Sequence, residues 1–152
     1  MKKATALAVL DYSIPNVATA IYKITTNLLN IKTKNRLYDM FIRIMPFLNV
    51  KNAEFIVTYF YAHSLYYYGI KLQLKSCVIC QNPSGLYTFS PIHGGFLCYK
   101  HPNFQVLEQK YIYGFYNSYY NLKMYVDNTD FETNYLIQKT YVDLIRESGQ
   151  KI

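Results

Sequence analysis

Apolar residues at Val17, Ala20, Ile21, Ile24 and Leu28 follow three-and-four spacing, which places one apolar stripe on a helix from Val17 to Asn30. A polar break runs from Asn30 to Lys34. Leu37, Met40, Phe41 and Ile44 then predict a second helix from about Arg36 to Phe47, with Pro46 near its end. A third, from Asn52 to about Tyr68, is apolar nearly all round, so it is expected to be the central and most buried element. Gly69 suits its C-terminal cap. His63 on this helix reads as a hydrogen-bonded core or interface residue, because no Asp, Glu or Ser stands in evident partnership with it.

Beyond residue 101 the helical period returns. Leu107, Tyr111, Phe115, Tyr119 and Leu122 form a stripe broken only by Gly114, and Tyr135, Ile137, Tyr141, Leu144 and Ile145 form another. The segment Asp127–Asp130 is read as the loop between them, with Thr129 or Asp130 as N-cap of the last helix. Between the two helical regions, residues 81–97 hold short β-prone runs separated by Gly94-Gly95, which reads as knuckle, strand, turn, strand, knuckle. There is no internal repeat and no low-complexity tract.

Composition narrows the class. A chain of 152 residues, 51% of them apolar, can fold as one domain with a real core, or as a compact domain carrying a small metal-stapled appendage. It has 18 Tyr, 9 Phe and no Trp, and the tyrosine hydroxyl suits partly buried or interface positions. The net charge of +7 is uneven: residues 1–110 hold 12 Lys/Arg against 4 Asp/Glu, and residues 111–152 hold 4 against 5. Such a surplus favours polyanionic partners. The start imitates a signal peptide, but Asp11 and Pro15 interrupt its apolar region, and no apolar run approaches the ~20 residues of a membrane span. A cytoplasmic protein that does not enter the membrane is expected.

The most specific chemistry is Cys77-x2-Cys80-x17-Cys98-x2-His101, which uses all three cysteines. A C-x2-C pair turns both sulfurs toward one point, and a second pair across a hairpin completes four N/S donors for tetrahedral Zn2+. The competing reading is three ordinary cysteines, buried or disulfide-linked, which an odd count disfavours. His93 is the rival fourth ligand, but Gly94 and Gly95 beside it suit a turn, and only His101 completes the second two-residue spacer. Four protein ligands close the coordination sphere, so the expected site is structural and leaves no position for an activated water. With no P-loop, dinucleotide turn, nucleophile elbow or open metal triad, no enzyme is expected. The fold class read from the sequence is mainly α, a helical bundle with an inserted zinc-knuckle β-hairpin.

The order of elements is specific enough to compare. A buried helix ending in Tyr66-Tyr67-Tyr68-Gly69-Ile70 is followed by Leu74, the first cysteine pair, Phe89-Ser90, Gly94-Gly95-Phe96-Leu97-Cys98 and the last ligand. This resembles the C-terminal part of the bacterial DNA repair protein family RecO, over roughly residues 17–150 and most specifically over 55–101. Metal-binding members of that family usually close the site with a fourth Cys, where this chain has His101, an equally ordinary zinc ligand. The family also begins with an OB-fold barrel, and nothing before Val17 reads as one, so the chain is expected to carry the helical and zinc portion alone. The expected organisation is an N-terminal segment 1–16 and a helical domain 17–150 with a zinc-binding insert at 76–102.

The resemblance implies a mediator of DNA repair and recombination in the cytoplasm, associated with the nucleoid. Members bind single-stranded DNA and the single-strand binding protein, join RecR and help load RecA. Direct DNA binding is in doubt without the OB platform. A groove for the acidic, apolar-ended tail of the single-strand binding protein needs apolar surface beside cations. Lys32, Lys34, Arg36 and Arg43, near Tyr38, Phe41 and Phe47, offer both, although a solvated charged helix start would look the same. Lys71, Lys75 and Lys100 around the metal motif form a second basic candidate. The alternative is an independent zinc-containing nucleic-acid-binding protein, which would bind DNA or RNA tightly and with strong salt dependence.

Overall fold

A computed structural model describes residues 36–101 and 105–148, together with Thr19. The helix read from Val17 to Asn30 otherwise lies outside them, as do Lys32 and Lys34. The described elements are helix α1 (Arg36–Ile44), helix α2 (Ala53–Ser64), strands β1 (Leu86–Ser90) and β2 (Gly95–Cys98), and helices α3 (Gln109–Tyr120), α4 (Leu122–Asn128) and α5 (Phe131–Glu147). The architecture is mainly helical with one small antiparallel hairpin.

Helix ends follow local chemistry. After α1 the chain tightens into a 3-10 turn, Met45–Phe47, where Pro46 occupies a first-turn position that needs no N–H. The link to α2 is held by two asparagines: Asn49 Oδ1 accepts from the Asn52 N–H at 3.0 Å, and Asn52 Oδ1 accepts from the Asn49 N–H at 2.8 Å. The third predicted helix comprises α2 and a 3-10 turn, Leu65–Tyr68. Gly69 stops it at φ 80°, and Ile70 N–H returns to Leu65 O at 2.9 Å.

One helical reading needs correction. The stripe from Leu107 to Leu122 is not one helix, because Asn121 leaves helical geometry at φ −148° and ψ 88°. Its side chain accepts from the Met124 N–H at 3.1 Å and so starts α4, which fills part of what was read as the tail of one helix and the loop after it. Asp130 then caps α5, accepting from the Thr133 N–H at 2.7 Å.

Helix α2 is the centre, as its sequence requires. It contacts α1, α3, α4 and α5, and Phe55, Ile56, Val57 and Phe60 are all buried. A polar network crosses this core: Asn134 Oδ1 accepts from Thr58 and Tyr125 hydroxyls, each at 2.7 Å, while Gln138 Nε2 donates to Thr58 at 3.0 Å. Gly114, the gap in the α3 stripe, lets α3 approach α5. A Cβ there would lie 2.7 Å from Ile137 Cδ1 and 3.0 Å from Thr133 Cγ2.

The hairpin is built into the core rather than appended to it. Phe89 on β1 pairs across to Phe96 on β2, and Phe89 stacks on Phe115 of α3 with ring centres 4.4 Å apart and planes at 4°. Phe96 meets Phe115 edge-on at 6.2 Å. Gln73 adds a short parallel bridge to the hairpin at Gly95, donating its N–H to Gly94 O at 2.9 Å and accepting from the Phe96 N–H at 3.1 Å. Any side chain at Gly95 would collide with the Gln73 carbonyl. The Phe pair is thus fixed on the helices, and the cysteine end of the hairpin is positioned by the same register.

Candidate metal centre

The first cysteine pair lies in a tight turn leading away from Leu74, itself buried. Cys77 N–H donates to Asn82 O and Gln81 N–H to Cys77 O, both at 2.8 Å. Gln81 takes φ 65°, a left-handed conformation unusual for a side-chain-bearing residue. Its Oε1 accepts from Gln73 Nε2 at 2.6 Å, so the turn is tied to the strand-like segment before it. Val78 N–H donates to Phe96 O at 2.8 Å, which registers the turn on β2. The second turn follows β2. His101 N–H donates to Cys98 O at 2.9 Å, Tyr99 N–H to Gly85 O at 3.1 Å, and the Tyr87 hydroxyl to His101 O at 2.9 Å.

These turns bring Cys77, Cys80, Cys98 and His101 together, with one donor atom from each lying within 4.8 Å of the others. Cys77 Sγ and Cys98 Sγ each lie 3.5 Å from His101 Nδ1, and Cys80 Sγ lies 3.6 Å from Cys98 Sγ. Sulfurs about 2.3 Å from a shared tetrahedral ion stand roughly 3.8 Å apart, so the donor spacing fits a four-coordinate metal. Three sulfurs and an imidazole suit a borderline-soft, tetrahedral ion.

Burial alone would raise the Cys77 thiol. The backbone N–H groups of Cys80, Cys98 and Ile79 outweigh it and hold the thiol down at about 6, which favours its thiolate form. At Cys80 the Asn82 N–H pulls downward, but partial desolvation and the neighbouring Cys98 and Cys77 sulfurs win and raise it. A bound cation would relieve that crowding of sulfurs. Cys77 and Cys98 are buried, His101 is half-buried, and Cys80 is exposed.

The other predicted residues lie elsewhere. His93 is exposed in the hairpin turn with Nδ1 2.9 Å from Ser90 Oγ, and it does not belong to the four-donor cluster. His63 donates Nε2–H to Tyr119 O at 2.8 Å and stacks on the Tyr119 ring at 4.4 Å. Desolvation lowers its pKa, as befits a neutral core imidazole. Arg36, Tyr38 and Arg43 are exposed on α1, and Phe47 is exposed in the 3-10 turn that follows it. Lys71 is exposed before the first of these turns, Lys100 is exposed within the second, and Lys75 Nζ lies 4.7 Å above the Tyr120 ring. That lysine–tyrosine contact was invisible in the sequence, because nothing in the spacing of residues 75 and 120 pairs them.

A family model described as "Recombination protein O C terminal" matches residues 11–122, which include the Cys77/Cys80 pair and the Cys98/His101 pair. The chain belongs to this RecO C-terminal family. No curated protein and no solved structure matches it. Within this RecO-type chain, the match runs from before α1 to the start of α4, so the central helix, the hairpin and the four-donor cluster all fall inside it. The family assignment supports a role in DNA repair and recombination. Among the described residues no helix is long and apolar enough to cross a membrane.

Proposed function

We propose that this protein is a recombination mediator that acts by protein contact. It would aid RecA loading on single-stranded DNA through RecR and the acidic tail of the single-strand binding protein, in the cytoplasm and at the nucleoid. The observation that carries the reading is the family match over residues 11–122, within which four Cys and His donors come together beside the hairpin. On this reading residues 17–150 form the helical domain, residues 76–102 its metal insert, and the protein is not an enzyme. The metal is Zn2+, held by Cys77, Cys80, Cys98 and His101 in a structural role: it crosslinks the two turns and contributes its binding free energy to folding.

The tail peptide would meet cations beside apolar side chains. On α1, Arg36 and Arg43 stand with Tyr38, which is 52% exposed, and the 3-10 turn after it adds Phe47, which is 73% exposed. The test is a fluorescence titration of the metal-loaded chain with a labelled tail peptide, and a pull-down with RecR. Charge reversal at Arg36 and Arg43 is expected to weaken peptide binding about tenfold or more while leaving the melting temperature within a few degrees. An unaltered affinity removes α1 from the proposal, and failure to bind either protein removes the mediator reading.

A further inference from the structure

We propose that the exposed face of α3, with Lys71 and Lys75 beside it, is a stacking surface for single-stranded nucleic acid. This rests on the mediator reading above and gives it a surface for its polynucleotide partner. Gln109, Tyr113, Tyr116 and Tyr120 follow a four-three-four spacing and so line one stripe of α3. Tyr113, Tyr116 and Tyr120 are 65%, 38% and 40% exposed, so their rings are offered outward rather than spent on the core. Successive rings step about 5 Å along the helix axis, which lets neighbouring rings address different bases.

The stripe is rigidly backed. Tyr116 and Tyr120 touch with ring centres 4.8 Å apart, Tyr120 meets Tyr119 edge-on at 4.8 Å, and Tyr119 stacks on His63 of α2 at 4.4 Å. Charge completes it. Lys75, two residues before the first metal-site cysteine, is held over Tyr120, and Lys71 lines a cleft of about 190 Å³ with Tyr66, Leu72 and Tyr119. Among the described residues, ion pairs are made by Lys110, Lys123 and Lys139, and no carboxylate pairs with Lys71 or Lys75. Exposed aromatic rings beside cations that no carboxylate neutralises match the two repeating groups of a single strand, bases that stack and phosphates that need counter-charge. An acidic peptide would use the lysines and the cleft but has no need of Tyr113.

The test titrates the full, metal-loaded chain against a fluorescein-labelled oligothymidine by anisotropy at two salt concentrations. Salt-dependent binding is expected. The Tyr113→Ala/Tyr116→Ala variant is expected to lose at least about tenfold in affinity, and Tyr113→Phe/Tyr116→Phe to stay within about twofold. Lys75→Gln is expected to shallow the slope of log affinity against log salt by about 0.7. Should the double alanine variant melt lower, Tyr113→Leu, at the most exposed ring, is read in its place. Oligonucleotide binding that survives loss of both rings overturns this surface alone. Binding of the tail peptide without the oligonucleotide also overturns it and leaves the mediator reading standing, whereas loss of both overturns both.

Discussion

Cys98 is a fully buried thiol whose sulfur has His101 Nδ1 and Cys80 Sγ within 3.6 Å, a spacing that suits a shared cation. Cys98→Ser is therefore expected to release the metal and lower the melting temperature by ten degrees or more, read by metal analysis and by circular dichroism. His101→Cys keeps four donors and is expected to retain metal. If His101→Cys loses metal and His93→Ala does too, the fourth ligand is His93. His63 gives a pH prediction of opposite origin. Its folded-state pKa lies below the ordinary 6.5 because of burial, so the unfolded chain binds the proton first as pH falls. Stability from this group is thus full above pH 6.5 and declines below it. Measured against wild type, His63→Gln is expected to lose relatively less stability between pH 7 and 5. A constant difference across that range would show that His63 does not titrate on unfolding. The spacing of Cys77, Cys80, Cys98 and His101 was legible along the chain, whereas the partner of His63 was not, since Tyr119 is 56 residues away.

Helix α3 meets α5 over Gly114, which in sequence is only a gap in a stripe of large residues. A methyl there would press on the flexible ends of Ile137 and Thr133, which can move, but a longer side chain has nowhere to go. Gly114→Leu is expected to separate the two helices and cost about 1–3 kcal/mol in a denaturant titration. An unchanged midpoint would mean that the helices pack elsewhere. The periodicity of α1, α2 and α5 was read to within a few residues because each buries one stripe or, for α2, nearly its whole surface. The break at Asn121 was not. Its neighbours continue an apolar period, and only the side-chain cap onto Met124 reveals that the chain has turned and begun again.

For the whole molecule, the hairpin and the bundle share one core, since Phe89, Phe96 and Phe115 are packed together with Leu74 and Tyr141. Loss of metal is therefore expected to lower the stability of the entire fold. A strong chelator should shift a single melting transition downward, with near- and far-ultraviolet dichroism moving together. Two separate transitions would instead mark the hairpin as an independent unit. The sequence by itself determined the helical class, the central place of α2 and the spacing of the Cys/His quartet, because periodicity and residue spacing are local properties of the chain. Only the tertiary structure decided that the hairpin belongs to the core, that Gly114 is a helix crossing and that Lys75 lies on a tyrosine face. Those depend on which distant surfaces meet, and burial pairs residues by shape and charge across dozens of positions that no local pattern connects.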